Sequence, residues 1–199
     1  MNLLIICVFF PPFKSSAAVQ TNDLAEALRN MGNQITVITP DNSIRKSFQI
    51  EEKEDIKIYR FKTGKIRDIS LFKRTLNELI MPFKIILTIL INKISLKGFD
   101  GIIWWSPSIF LTPLIVFLKL INKCPDYLIL RDIFPKWAKD LGLIRNPIVY
   151  FFFKLIFNFQ CYVADEIGIQ SEGNKKFIPK KIFFKNTNVE VLNNWYTPK

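Results

Sequence analysis

YLILRDIFPKWAKDLGLIRNP, residues 127–147, begins with an apolar run of strand length and turns polar at once with Arg131 and Asp132. Phe134 and Pro135 then open a helical pattern. A buried parallel strand has this form, apolar toward both faces and polar where it leaves the sheet. Open α/β sheets bind ligands outside the carboxyl ends of their strands, so Arg131 and Asp132 stand where a site is expected. An ion pair that merely closes a strand end is the plainer alternative.

Working outward, strands and helices alternate. Residues 2–9 form an apolar strand ending at Phe10-Pro11-Pro12, and the loop 11–16 leads into a helix over 17–31 with Ser15 or Ser16 as N-cap. Gly32-Asn33 stops that helix, and QITVIT, residues 34–39, is a β-branched strand. The loop contains no glycine, so it is neither a dinucleotide fingerprint nor a P-loop. Residues 51–55 read as a charged connection, 56–61 as the third strand, and 70–94 as helical, with Pro82 predicting a kink or a break. Further strands fall at 101–105, 127–130, 166–170 and 189–192, with helices at 109–121, 137–141, 148–159 and 174–177 between them. Ser171 is placed to cap the last of these. The expected fold is α/β: a Rossmann-like, doubly wound, mainly parallel sheet covered by helices on both faces.

Composition narrows the chemistry. The chain has 199 residues, enough for one sizeable core, and 49% hydrophobic with 14% aromatic residues excludes disorder. It contains no histidine, which removes Ser-His-Asp and Cys-His arrangements, His-containing zinc sites and a His general base. Cys7, Cys124 and Cys161 lie far apart with no C-x-x-C pair, so buried free thiols are expected rather than a disulfide framework or a metal site. Acid–base work falls to carboxylates, lysines or tyrosines, or to a group on the substrate. A net charge of +11 favours anionic partners without choosing among them. The N-terminal apolar run lacks the basic flank and cleavage site of a signal peptide, and 101–121 breaks at Ser106-Pro107-Ser108 into strand, turn and helix.

Four groups of residues stand out. Lys14, Ser15 and Ser16 sit at a helix N-terminus, where a diphosphate or a sugar hydroxyl binds readily, and where an ordinary capped turn also fits. Ser106 and Ser108 end the strand before Arg131 and Asp132, and adjacent strands bring these ends to one edge. Asp132 is the one carboxylate nominated for a direct role, orienting or deprotonating a hydroxyl. Residues 79–94 and 148–159 mix lysines with aromatic and aliphatic residues, as an interfacial helix does, although helices packed on a sheet read similarly. KKFIPKKIFFK, residues 175–185, interleaves lysine with Phe and Ile, but no nucleic-acid module accompanies it and no nucleic-acid partner is expected.

Five stretches carry a resemblance: residues 8–40, VFFPPFKSSAAVQTNDLAEALRNMGNQITVITP; 104–114, WWSPSIFLTPL; 128–144, LILRDIFPKWAKDLGLI; 164–174, ADEIGIQSEGN; and 191–195, VLNNW. In this order the chain resembles the N-terminal half of bacterial family-4 glycosyltransferases of the GT-B fold. It is particularly similar to the N-acetyl-L-fucosamine (L-fucosamine) transferases of O-antigen and capsule biosynthesis. The resemblance implies a retaining hexosyltransferase that moves a sugar from a nucleotide-sugar co-substrate, without metal or other cofactor, to a lipid-linked saccharide. It places the enzyme in the cytoplasm, peripheral on the inner face of the cytoplasmic membrane. It maps the loop 12–17, with Lys14, Ser15 and Ser16, onto the approach to sugar and diphosphate, and the catalytic acidic position onto Asp132. Ser171 and Glu172 map onto the helix facing the interdomain cleft, and Arg131 and Ser106 join the substrate-binding set.

Two departures qualify this. Many relatives have glycines in the first loop, where this chain has Lys14-Ser15-Ser16-Ala17. Residues 193–195 fall where the interdomain linker starts, so a C-terminal nucleotide-sugar-binding domain is expected to be absent from these residues. A separate donor-domain subunit is then an expected partner. A truncated inactive remnant, or a non-catalytic membrane-surface binding protein, is the alternative.

Overall fold

The structure, a computed structural model, describes residues 1–180 and 187–195. The N-terminal apolar run forms β1 (Asn2–Ile6), shorter than the sequence pattern suggests because the chain leaves the sheet before Phe9 and Phe10. After the loop comes α1 (Ser16–Asn30), where the Ser15 hydroxyl accepts from the Ala18 N–H at 3.1 Å as the N-cap. At its end Gly32 adopts φ +86°, and its N–H reaches the Arg29 carbonyl at 2.8 Å, closing the helix. The chain then enters β2 (Gln34–Pro40).

Residues 51–55 are not a connection. Residues 51–53 belong to β3 (Phe48–Lys53), which pairs antiparallel with β4 (Ile56–Phe61) through a two-residue turn at Glu54-Asp55. Both turn residues have positive φ, 50° and 58°, the twist that a two-residue hairpin requires. Glutamate and aspartate there hide a turn usually announced by Asn-Gly. Charges on β3 suit an edge strand, where they oppose further pairing.

The next helix, α2 (Leu71–Ile91), runs unbroken through Pro82. Met81, Pro82, Ile85 and Ile89 are buried, and that packing outweighs the backbone hydrogen bond the proline cannot donate. Then follow β5 (Gly101–Ser106), a 3-10 turn at Ile109–Leu111, α3 (Thr112–Asn122) and β6 (Asp126–Leu130). The chain continues through α4 (Lys136–Asp140), α5 (Pro147–Val163), β7 (Glu166–Ile169), a 3-10 helix at Glu172–Phe177 and β8 (Asn188–Val191). Ser171 precedes that 3-10 helix without a side-chain cap bond, and Leu192 lies beyond the last strand. The basic run 175–185 includes residues 181–186, which lie outside the described residues.

One eight-stranded sheet results, in the order β3-β4-β2-β1-β5-β6-β7-β8. Every pairing except β3–β4 is parallel. Leu4, Ile6, Trp104 and Leu128 point to one face, under Met81 and Ile85 of α2, Leu114 and Leu118 of α3, and Phe153 and Phe157 of α5. Leu3, Ile5, Val37, Ile58 and Ile129 point to the other, under Ala25, Leu24 and Leu28 of α1 and the segment bearing Leu192 and Trp195. Winding reverses between β1 and β5, so this is a Rossmann-like doubly wound α/β fold with its switch point there.

At the amino edge of the strands, Lys119 of α3 bonds the buried Asp126 and lies 2.7 Å from Asp165. The Trp104 indole N–H donates to Asp126 at 2.6 Å. This network ties α3, β5, β6 and the start of β7 on the edge away from the switch point.

Candidate functional site

Parallel pairing puts the carboxyl ends of β2, β1, β5, β6 and β7 on one rim. Ser15, Ser106, Arg131 and Asp132 therefore share that rim, each at the strand end or helix start expected of it. Their surroundings differ. The Ser15 oxygen is spent on the α1 cap, while Lys14 and Ser16 are exposed beside it. No acidic residue lies in the first turn of α1, which leaves the positive end of that helix unopposed.

Ser106 is 1% exposed, and its hydroxyl has no hydrogen-bond partner among the described residues. Ser108 is committed: its hydroxyl donates to Glu78 at 2.9 Å, and Glu78 also pairs with Arg74 at 2.7 Å. Ser171 and Glu172 are exposed after β7, on the rim one strand beyond β6.

Arg131 is 9% exposed and lies among aromatic rings. Its guanidinium carbon is 5.2 Å from the Trp105 ring and 5.4 Å from the Trp195 ring, and the two indoles meet edge-on at 5.4 Å. Gln20 of α1 accepts from Arg131 at 3.4 Å, exchanges backbone and side-chain bonds with Trp195 at 3.2 and 3.3 Å, and so pins residue 195 across the rim. Arg131 Nη1 is buried with no partner among the described residues. Burial lowers the Arg131 pKa and the neighbouring Asp132 charge opposes that shift. Asp132 itself is exposed, yet desolvation of its carboxyl by the rim raises its pKa above the ordinary carboxylate value, against the pull of Arg131. A carboxyl poised in this way, and not locked in an ion pair, can take up a proton from a bound hydroxyl.

Open space on the rim lies on the other side of β1. A groove of about 410 Å³ is walled by Phe9 and Phe13 of the first loop, by Asp41, Asn42 and Ser43 after β2, and by Lys65, Arg67 and Asp68 after β4. Phe9 and Phe13 stack at 4.9 Å, and the Arg67 guanidinium lies 4.8 and 4.5 Å from their rings. Arg60, 5% exposed, forms the groove floor. It bonds the Pro11 carbonyl, pairs with Glu51 at 2.5 Å and approaches Asp41 at 3.6 Å, so it fixes the first loop against β2 and β3. The Thr21 hydroxyl, 2.9 Å from the Phe9 carbonyl, holds the loop from the α1 side. Aromatic faces beside hydroxyl, amide, carboxylate and guanidinium groups are the complement of a polyhydroxylated ring.

Phe9, Phe13, Arg60, Arg67, Gln20, Trp105 and Trp195 were not singled out in the sequence. An arginine inside the apolar strand IKIYRF was the one available signal, since a charge there must have partners. Among the described residues no group of His, Cys, Asp and Glu could hold a metal ion. Cys7 is fully buried at the end of β1, and burial pushes its thiol up to about 12, so it is inert.

No family model matches the chain, and no curated protein matches it in sequence. Solved structures do match. The catalytic domain of starch synthase IV from Arabidopsis thaliana, bound to ADP and acarbose, superposes with a TM-score of 0.62 at 12% identity, over 96% of this chain and 51% of that one. Sucrose-phosphate synthase from Thermosynechococcus elongatus gives 0.62 at 9% identity, over 96% and 47%. An α,α-trehalose-phosphate synthase (UDP-forming) from Burkholderia vietnamiensis gives 0.57 at 12% identity, over 96% and 48%. The chain thus spans about half the length of these structures. The likeness shows the fold alone.

Proposed function

We propose that this chain forms the acceptor-side half of a glycosyltransferase. The observation that carries the reading is the shared rim: winding reverses at β1 and β5, and the open groove and the poised Asp132 flank that reversal. Starch synthase, sucrose-phosphate synthase and trehalose-phosphate synthase, which have this fold, all build glycosidic bonds. Others of the fold are described with UDP or a UDP-sugar, which supports a nucleotide-sugar donor.

The step is a transfer of a glycosyl group. The bond from the donor's anomeric carbon to its diphosphate oxygen breaks, a bond to the acceptor hydroxyl oxygen forms, and the nucleoside diphosphate departs. Asp132 orients that hydroxyl and accepts its proton directly or through water. The unopposed N-terminus of α1 with Lys14 and Ser16 stabilises the departing diphosphate. Phe9, Phe13, Asp41, Asn42 and Arg67 hold the acceptor saccharide. The sequence resemblance supports the finer features: retention of configuration, N-acetyl-L-fucosamine as the sugar, and a lipid-linked acceptor in O-antigen or capsule synthesis. Donor-binding residues belong to a half beyond this sequence, continuous with it or a separate subunit.

The test is transfer of a labelled sugar from a nucleotide-sugar to a lipid-linked saccharide, with the chain joined to or mixed with a donor-binding half. Asp132→Asn is expected to lower kcat by about 10²- to 10⁴-fold with KM nearly unchanged. Full activity in that variant, or transfer by the chain alone, overturns the reading.

A further inference from the structure

Arg131 and Asp132 are neighbours in sequence and opposite in charge, yet the guanidinium does not bond the carboxylate. Nη2 donates to Gln20 Oε1 at 3.4 Å, and Nη1 is buried with no hydrogen-bond partner among the described residues. A charged donor left orphaned beside an available acceptor costs stability, so other contacts must hold the guanidinium where it is. The Trp105 and Trp195 rings, 5.2 and 5.4 Å from its carbon, supply them. Attraction between a cation and an aromatic face strengthens as the cation loses water, and Arg131 is almost wholly buried.

The two rings are held differently. Trp105 belongs to β5 and is buried in the sheet. Trp195 lies beyond β8, is half-buried, and depends on α1 for its place. Gln20 Nε2 donates to the Trp195 carbonyl at 3.2 Å, and the Trp195 indole N–H donates to the Gln20 carbonyl at 3.3 Å. The same Gln20 side chain accepts from Arg131, so one residue of α1 sets both the ring and the guanidinium. Arg131 is the charge that bears on the Asp132 carboxyl. Around it α1 brings Gln20, the end of β5 brings Trp105 and Ser106, and the segment after β8 brings Trp195, all uncharged. Burial raises the Asp132 pKa and Arg131 opposes that rise, so the position of the guanidinium decides how readily this carboxylate takes a proton.

We propose that Trp195 and Gln20 are positioning residues that, together with Trp105, hold the Arg131 guanidinium off Asp132 and so keep that carboxylate free for the acceptor hydroxyl. Releasing Trp195 lets the guanidinium turn to the carboxylate, and the ion pair formed then takes up a proton poorly. The consequence for catalysis rests on the glycosyl-transfer reading, but the test contains no sugar, so either can fail alone.

The test is a pH titration of the Asp132 carboxyl carbon by NMR in the isotopically labelled chain, with the signal assigned through Asp132→Asn. In the parent the carboxyl should titrate above the ordinary aspartate value of about 3.9. Trp195→Ala should lower that pKa by about one unit or more, as an opposite charge at contact distance does. Gln20→Ala, which suits the interior of α1 and removes the side-chain bonds to Trp195 and Arg131, should shift it in the same direction. Arg131→Gln separates the causes: in that background Trp195→Ala should produce less than half the fall, because the guanidinium carries the effect. An Asp132 titration that Trp195→Ala and Gln20→Ala leave unmoved overturns the proposal. So does a fall that keeps more than half its size without Arg131, since lost burial alone would then explain it.

Discussion

Arg131 and Asp132 leave one strand end and take opposite parts. The guanidinium is occupied by Trp105, Trp195 and Gln20, which leaves Asp132 without a tight partner and with its pKa raised. A carboxyl whose folded pKa lies above its unfolded value contributes stability below the unfolded pKa, and loses it as pH rises through the folded value. Asp132→Asn should therefore leave stability at neutral pH unchanged or slightly higher, measured by urea unfolding. A loss would make Asp132 structural. Arg131→Lys replaces a planar, weakly hydrated cation with a compact one and should cost about 1–2 kcal/mol, with a shift in tryptophan emission. Asp132, Arg131 and the Ser15 cap were legible because each follows from one local pattern. The groove was not: Phe9, Asp41 and Arg67 meet only once strand order is known.

Elements were legible where period and punctuation agreed and misread where they conflicted. Helix α1, bounded by Ser15 and Gly32, fell within a residue of its observed limits. The β3–β4 hairpin was missed because Glu54 and Asp55 make its turn, and α2 was expected to bend at a proline that tertiary packing absorbs. Gly168 of β7 shows how tightly neighbouring strands are fitted. A Cβ there would lie 2.3 Å from the Tyr127 hydroxyl, which donates to Glu190 at 2.7 Å. Gly168→Ala should push the ring off that bond and cost about 1–3 kcal/mol in a denaturant titration. Lys119→Met removes the cation beside the fully buried Asp126 side chain and should cost about 3 kcal/mol at neutral pH. Burial alone would raise Asp165, but the Lys119 ammonium overcomes it and holds that carboxyl low. The part of stability due to Asp165 is thus present above about pH 4 and lost as pH falls through its folded pKa, so the variant should show a shallower acid decline.

At the scale of the whole molecule, alternation of strands and helices was enough to place the fold, because a parallel sheet admits few connections. It could not show that the open space lies on the β2–β4 side of the switch point while the poised carboxylate lies beyond β5. Those two features lie on one rim of the eight-stranded sheet, and the proposed acceptor-side role rests on that placement. The most direct measurement is an NMR titration of the isotopically labelled chain alone, once with a short N-acetylated aminosugar saccharide and once with UDP or ADP. The saccharide should shift the amides of Phe9, Phe10 and Phe13 and those of residues 41–43, 65–68 and 132, and the nucleotides should bind more weakly than the saccharide. Tight nucleotide binding with no response to saccharide would contradict an acceptor-side role.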